Sequence, residues 1–521
     1  MRRENHMHAA TSEDQFDIVV IGGGATGLGC AVDAATRGYR TLLLEQVDFA
    51  KGTSSRSTKL VHGGVRYLQQ GNISLVREAL HERGIMAHNA PHLVRNLAFI
   101  VPRYKWWEGP FYGVGLKLYD LLAGKLNLSP SRILNHDRTI EAIPNLEPDG
   151  LDGGVEYTDG QFDDARMCVS LVRTAQDHGA AMLNYAAVVN LHHDDCGHVC
   201  GVTFRDEETG DEHDVTAAVV INATGVFANE IRRMDEADAE SIVEPSRGVH
   251  LVLDASFLRG DTAIMVPHTD DGRVLFVIPW HGRCLVGTTD TEAPEPCLEP
   301  RATDEEVAFI LRNAARYLDR DPTRDDVLSV FAGLRPLVRK AGQATKKISR
   351  EHEVLVSASG LVTIVGGKWT TYRKMAVDTL DHAIDVGGLV RRECVTESLR
   401  LRGWMEFDDT TAALGDWRHF YGADMDEVEA ACDELDRGHE LLDESLPYPR
   451  GLVVHAVRHE HARTVEDVLS RRTRALLLDA RASGRCADQV AAIIAAELGR
   501  DEAWQAAQVE AYDSLAAGYQ L

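Results

Sequence analysis

A glycine-rich turn near the start of this 521-residue chain leaves few folds open to it. The apolar run Phe16 to Ile21 leads into Gly22, Gly24 and Gly27, and an alanine-rich stretch follows. This order predicts a buried strand, a tight turn and a helix, with room for a pyrophosphate at the helix N-terminus. Because Glu45 follows about 20 residues later, where a ribose would be held, the pattern predicts a dinucleotide-binding βαβ unit. The glycine spacing itself does not distinguish an FAD site from an NAD site.

Two later glycine turns favour FAD. The turn Asn222 to Gly225 follows the apolar run Ala218 to Ile221, and Gly366 to Lys368 follows another short apolar run. A ligand approached by three such distant segments is long and deeply buried, as a flavin dinucleotide is.

The acidic composition narrows the classes of partner. A formal net charge of −26 argues against nucleic acid, because a phosphate backbone needs a basic surface. Met1 to Asp14 has no apolar run, so we expect no secretory signal. No stretch approaches the roughly 18 apolar residues of a spanning helix. We therefore expect a cytoplasmic protein with at most peripheral membrane contact.

Four further motifs carry a family likeness. They are Thr53 to Leu68, Val286 to Asp290, Gly333 to Leu337 and Gly366 to Arg373. In this order they resemble the FAD-dependent sn-glycerol-3-phosphate dehydrogenases. The likeness runs from about residue 15 to 385 and weakens but persists in the C-terminal region.

The resemblance implies an α/β fold with a Rossmann-like FAD-binding domain of the glutathione-reductase/D-amino-acid-oxidase kind. A substrate domain with an antiparallel sheet and a helical C-terminal domain accompany it. Together with the pattern along the chain, it predicts FAD-binding segments at 15–90, 150–240 and 330–390, substrate and membrane-contact segments at 91–149 and 241–329, and the helical domain at 391–521.

The implied reaction is oxidation of sn-glycerol 3-phosphate to dihydroxyacetone phosphate, with electrons passing from FAD to membrane quinone. The chain lacks the cysteine-rich extension of the anaerobic relatives, so the aerobic type is favoured. The cofactor residues implied by the glycine turns and the likeness are Gly22, Gly24, Ala25, Thr26, Gly27, Glu45, Thr53, Ser54, Ser55, Ser57, Lys59, Leu60, His62, Val188, Gly225, Gly367, Lys368 and Thr370.

A phosphate dianion needs cations, and the planar fork of arginine suits it. The likeness nominates Arg66, Tyr67, His250, Arg335, Arg350 and Lys368 for substrate binding. The C2 hydroxyl also needs a base, and histidine titrates in the right range. We favour His62, which precedes two glycines, over His250, and expect Arg335 to stabilise the developing alkoxide.

The segment Arg103 to Arg132 is the predicted membrane contact. It combines Trp106, Trp107, Phe111, Tyr112 and Tyr119 with a local excess of lysine and arginine, and Val114, Leu118, Leu121 and Leu122 share one helical face. Aromatic residues, cations and an apolar stripe are typical of an interfacial helix on anionic lipid.

Other functions remain open at this point. They are a glycerol-3-phosphate oxidase that uses oxygen, a flavin amine oxidase, and a non-enzymatic protein that keeps FAD for structure. A metal site at His455, His459 and His461 lacks a persuasive ligand set, so we predict none. The oligomeric state is also open, with a homodimer among the options.

Overall fold

The computed structural model describes residues 3–12, 15–64, 72–105, 108–124, 128–339, 352–406 and 416–521, which build two β-sheets and a helical C-terminal region. The strands are β1 (Phe16–Ile21), β2 (Thr41–Leu44), β3 (Leu60–Val61), β4 (Val94–Arg103), β5 (Arg132–Asn135), β6 (Gly153–Phe162), β7 (Ala181–Leu183), β8 (Ala186–His193), β9 (Val199–Asp206), β10 (Glu212–Asn222), β11 (Val243–Asp254), β12 (Thr262–Val266), β13 (Leu275–Trp280), β14 (Arg283–Gly287), β15 (Thr291–Glu292), β16 (Val327–Val338), β17 (His352–Val356) and β18 (Val362–Gly366).

The α-helices are α1 (Arg3–Ser12), α2 (Ala25–Thr36), α3 (Ile73–Asn89), α4 (Glu108–Ala123), α5 (His136–Ala142), α6 (Asp164–Asp177), α7 (Ala228–Asp235), α8 (Asp304–Ala315), α9 (Tyr372–Val386), α10 (Met425–Glu434), α11 (Gly451–His459), α12 (Ala475–Leu478), α13 (Ala480–Arg485), α14 (Ala487–Leu498) and α15 (Glu502–Ala517). A π-helical segment, Asp467–Arg472, precedes α12.

The first sheet holds the predicted βαβ unit. Its order is β17-β18-β10-β1-β2-β7, and β18, β10, β1, β2 and β7 run parallel. Helices α2, α6 and α9 cover one face, while α1 and the β8–β9 hairpin cover the other. Because both faces are covered, the central stretches 18–21, 41–44 and 217–221 are almost continuously apolar instead of alternating. The carboxyl ends of β1, β2, β10 and β18 thus share one edge, where a ligand binds in such sheets.

The second sheet is largely antiparallel, in the order β15-β11-β14-β13-β12-β4-β6-β3, with β16 paired to β11 and β5 to β6. It includes β6 and most of β16, which the predicted segments 150–240 and 330–390 assign to the FAD-binding domain. Sheet membership does not follow from the sequence pattern, since that pattern reflects how a strand's two faces are buried and not which sheet the strand joins.

The C-terminal region is helical, as predicted. Its apolar side chains form one core with residues from the second sheet. Helix α14 shows the local reason for this structure, because its alanine-rich sequence favours helix and Gly499 ends it in the left-handed region at φ 65°.

Candidate active site

The first glycine turn is built so that only glycine fits. Gly22 has φ +106°, and a Cβ there would lie 2.7 Å from the carbonyl oxygen of Ala223. A Cβ at Gly27 would overlap the carbonyl oxygen of Gly22. Gly24 precedes α2 with no side-chain cap on the helix. The positive dipole end of α2 and the main-chain N–H groups of this turn therefore suit an anionic pyrophosphate, as the sequence predicts.

The loop Thr53–Ser55 lies against this helix end. The Ala25 N–H donates to Ser54 Oγ at 2.8 Å, and Trp369 Nε1–H donates to the Ser54 carbonyl at 2.8 Å. Thr53 Oγ1–H donates to the Leu334 carbonyl at 2.6 Å. Three distant parts of the chain therefore meet at the N-terminus of α2, next to Thr26.

Glu45 lies at the end of β2, where a ribose would be held. Its Oε2 accepts from the Gly23 N–H at 2.7 Å and its Oε1 from the Val47 N–H at 3.0 Å. Burial raises the pKa of this carboxyl above its ordinary value, although the two backbone donors oppose the shift. These bonds fix the carboxylate beside the glycine turn, so it can accept from ribose hydroxyls.

The two later glycine turns also reach this edge of the first sheet. Gly225 has φ +59° with open space around its Cα, and Gly367 has φ +75° and packs against Met375. Val188, predicted to contact adenine through its main chain, is a buried residue of β8, at a point where the β8–β9 register shifts. These features leave room for a ligand spanning from β2 to β18.

Residues 53–59 form a segment that we call the flavin loop. Lys59 is its last residue, and the side chain of Lys59 is fully buried. Its ammonium donates to the Ser55 carbonyl and to Asp164 Oδ2, both at 2.7 Å. Burial lowers the pKa of Lys59 to about 7, although Asp164 opposes the shift. The side chain thus supports the loop from below, which leaves only its main chain for the predicted contact with the cofactor.

His62 follows β3, the strand that begins at Leu60, and its main chain is held from the far end of the sequence. The His62 N–H donates to Thr370 Oγ1 at 3.2 Å, and the Thr370 hydroxyl also lies 3.4 Å from the His62 carbonyl. The next N–H, of Gly63, donates to the Tyr119 hydroxyl at 2.7 Å. His62 is a partly exposed residue, whereas His250 is buried.

One face of the second sheet has three glycines beside the predicted substrate residues. Gly248 pairs with Gly333 across β11 and β16, and His250 pairs with Gly287 across β11 and β14. A Cβ at Gly248 would lie 2.8 Å from Cζ of Arg335, and one at Gly287 would lie 2.9 Å from Cγ of His250. The missing side chains make room for the guanidinium and the imidazole on this face.

Arg335 is oriented by oxygens of the β14–β15 segment. Its Nη2 donates to the Thr289 carbonyl at 3.0 Å and to Thr288 Oγ1 at 3.3 Å, and Nη1 lies 3.3 Å from Asp290 Oδ1. The side chain is 27% exposed. A partly exposed, oriented guanidinium can bind an oxyanion at this position.

His250 is held by two contacts. Its Nε2 lies 2.9 Å from Thr58 Oγ1, and its ring stacks on Phe331 with centroids 4.9 Å apart. Burial, aided by the charges of Lys59 and Arg335, lowers the pKa of His250 well below its ordinary value. The imidazole is therefore neutral near pH 7 and, in this form of the protein, is closed to solvent.

The structure does not bring all of the predicted residues to this site. Arg66, Tyr67, Arg350, Trp106 and Trp107 lie outside the described residues. Lys368 precedes the turn Trp369–Thr371, and the Thr371 N–H donates to its carbonyl at 3.1 Å.

The predicted lipid contact of Tyr112 and Tyr119 is wrong, because both side chains are buried in the protein core. The Tyr119 hydroxyl donates to Asp159, whose carboxylate also accepts from Arg83 at 2.6 Å. The aromatic rings of α4 that the structure describes therefore face inward.

Sequence reasoning missed four residues that shape the site. Thr58 and Thr288 lie within the quoted motifs and could have been found there. Asp164 and Arg474 lie far from any glycine motif and offer no such signal.

The fold and the glycine-built dinucleotide site define an FAD-dependent oxidoreductase. The family model "FAD dependent oxidoreductase" matches residues 17–373, and "C-terminal domain of alpha-glycerophosphate oxidase" matches residues 362–505. Both the cofactor and the enzyme class predicted from the sequence are confirmed.

The chain belongs to the FAD-dependent glycerol-3-phosphate dehydrogenase family. It is 41% identical to the mitochondrial glycerol-3-phosphate dehydrogenase of Homo sapiens over 98% of this chain and 74% of that one. It is 40% identical to the mitochondrial enzyme of Arabidopsis thaliana over 98% of this chain and 87% of that one. The structure of the Bacillus halodurans glycerol-3-phosphate dehydrogenase complexed with FAD matches with a TM-score of 0.80 at 31% identity, covering 99% and 97% of the two chains.

Proposed function

We propose that this protein oxidises sn-glycerol 3-phosphate to dihydroxyacetone phosphate and passes the electrons to a membrane quinone. The observation that carries the proposal is the glycine-cleared face of the second sheet, where Arg335 is oriented next to His250 and beside the flavin loop. Gly333 brings the loop close, because its Cα leaves space for the main chain of Arg56. A phosphorylated alcohol bound there would meet the partly exposed guanidinium of Arg335.

The chain's own residues then have distinct tasks. Arg335 binds an oxygen of the substrate, and Arg66, Tyr67, Arg350 and Lys368 stay predicted partners of the phosphate. His62 accepts the proton of the C2 hydroxyl, since it is the more exposed of the two candidate histidines.

His250 stays neutral and holds Thr58 in the flavin loop. The N-terminus of helix α2 would hold the pyrophosphate, and Glu45 would hold the ribose. FAD, when bound, supplies the acceptor for the hydride that leaves C2.

Anaerobic reduction of the bound flavin tests the substrate. We expect sn-glycerol 3-phosphate to bleach the flavin band at about 450 nm, a wavelength set by the cofactor, while glycerol and amines leave it unchanged. Arg335→Lys should retain FAD and bleach only at much higher substrate concentration, because lysine cannot make the same forked contact. Absence of bleaching in FAD-loaded protein would reject the substrate, and bleaching by amines would favour an amine oxidase.

An exposed apolar patch supports membrane contact. Leu118 and Leu121 on α4 and Ile133 on β5 are 40%, 76% and 62% exposed. Exposed Lys117 and Arg132 adjoin them, although each is paired with a carboxylate. Among the helices that the structure describes, none is long and apolar enough to cross a bilayer. We propose that this patch rests on anionic lipid at the cytoplasmic face of the cell membrane, near the quinone.

Flotation with vesicles containing anionic lipid tests the patch. The Leu121→Asp variant should no longer float with the vesicles, because the substitution places a charge in the membrane contact. Its flavin should still be bleached as in the wild type, because the active site is unchanged. Val390→Asp is the matched control, since Val390 is 78% exposed outside the patch. Equal flotation of both variants and the wild type would remove α4 from the membrane contact.

Faster reoxidation of the reduced protein by oxygen than by a soluble quinone would favour an oxidase.

A further inference from the structure

An arginine of the C-terminal region reaches the flavin loop. Arg474 lies just after the π-helical segment, has φ +67°, and is 1% exposed. Its Nη2 donates to the Ser55 carbonyl at 2.8 Å and to Asp164 Oδ1 at 3.0 Å. The C-terminal region thus donates to the main chain of this loop.

Asp164, in the first turn of α6, binds the remainder of the loop with its second oxygen. Oδ2 accepts from the Ser57 N–H at 3.0 Å, from the Ser57 hydroxyl at 2.7 Å and from the Lys59 ammonium at 2.7 Å. Arg474 and Asp164 therefore contact Ser55, Ser57 and Lys59 between them, and all of these bonds are wholly or largely buried.

The loop depends on such contacts because it has little regular structure. Only Thr53–Ser55 form a single 3-10 turn before β3. In addition, Lys59 takes φ +63°, which a side-chain-bearing residue seldom adopts unless its surroundings hold it there. Buried charge-assisted hydrogen bonds are strong enough to select one conformation of such a segment.

We propose that Arg474 is a positioning residue for FAD, which fixes the flavin loop through Ser55 and Asp164 and so makes the C-terminal region part of the cofactor site. The inference rests on the proposed placement of residues 53–59 at FAD. A loop that spends less time in its binding conformation lowers the apparent affinity in proportion.

Release of FAD from diluted holoenzyme, followed by the fluorescence of the free flavin, measures the effect. Arg474→Met should release FAD about tenfold faster, since charge-assisted bonds of this kind are worth about one power of ten or more. The flavin absorption band should also shift as its surroundings change. Arg474→Lys, which keeps the charge, should recover part of the wild-type rate.

Arg173→Met is the matched control. Arg173 is a buried arginine of α6 that joins Asp424 at 2.8 Å and Glu427 at 2.7 Å, far along the helix from the flavin loop. We expect it to lower the melting temperature as Arg474→Met does but to leave FAD release unchanged. Equal release from both variants, or wild-type release from Arg474→Met, would overturn the inference.

Two further variants keep the test decisive. If Arg474→Met does not fold, Asp164→Asn replaces it, because it keeps the volume and weakens the same bonds. Ser54→Ala tests the placement itself, since Ser54 contacts the helix end directly. Unchanged release from Ser54→Ala as well as from Arg474→Met would reject the flavin loop as a cofactor contact, whereas fast release from Ser54→Ala alone rejects only the role of Arg474.

Discussion

Gly248→Ala tests whether Arg335 binds substrate without altering the arginine itself. The new Cβ would lie 2.8 Å from Arg335 Cζ and 2.8 Å from Thr288 Oγ1, closer than real Cβ contacts. Both neighbours are ends of side chains, so the clash is relieved by moving the guanidinium and the fold survives. The displaced Arg335 would lose its bond to the Thr289 carbonyl, now 3.0 Å long. The displaced guanidinium would then no longer make its charge-assisted bond to the substrate, which is worth about 1.5–3 kcal/mol and corresponds to a fall of roughly 10- to 150-fold in kcat/KM.

Steady-state kinetics, FAD content and melting temperature together give the result. We expect KM to carry most of the change, FAD to remain fully bound, and Gly248→Ala to resemble Arg335→Lys. Gly484→Ala is the control, because a Cβ at Gly484, a helical residue, meets nothing within 4 Å. Wild-type kcat/KM in FAD-loaded Gly248→Ala protein would refute the placement of Arg335 in the substrate site.

Three further outcomes are expected. Gly27→Ala should purify without flavin colour, because its Cβ overlaps the Gly22 carbonyl oxygen, and a normal absorption spectrum would contradict the cofactor turn. Thr370→Val should lower kcat about fivefold with KM unchanged, since it removes the acceptor of the His62 N–H, and a change confined to KM would oppose this role. The free energy of unfolding should fall as pH drops below the ordinary histidine pKa of 6.5, by on the order of 1 kcal/mol per pH unit for each histidine whose pKa the fold lowers, His250 among them. In this pH range the unfolded chain binds protons at histidines that stay neutral in the folded chain. The urea midpoint should therefore decrease as the pH is lowered from about 7 to about 5. A constant midpoint would contradict the lowered pKa values of His6, His92, His250, His281, His419 and His461.

The βαβ unit was predictable because its glycines answer a local main-chain requirement. Gly22 and Gly27 cannot carry a Cβ, and Glu45 follows at the end of the next strand. The sheet that each later strand joins was not predictable, since β6 and β16 have no local feature that distinguishes the second sheet from the first.

The residues of the candidate site likewise include some that the sequence could suggest and others that it could not. Arg335 could be nominated only through a family motif and His250 only through the wider family likeness, because a single histidine or arginine has no pattern of its own. Asp164 and Arg474 are 310 residues apart and meet only in the folded protein. For Tyr119, the sequence shows an amphipathic helix but not which face contacts the core, so its inward hydroxyl could not be inferred.

The order of strands in the first sheet also sets when the chain can fold. Strand β1 lies between β2 and β10, yet Phe16 pairs with Ala217, about 200 residues later. At a synthesis rate of about 5–20 residues per second, the nascent β1–β2 pair, complete at Leu44, waits roughly 9–35 s for that partner. During this time an apolar strand with unpaired main-chain groups is open to association with other chains. Slower translation or higher expression should therefore lower the soluble yield of this protein, while the stability of the molecules that do fold stays the same.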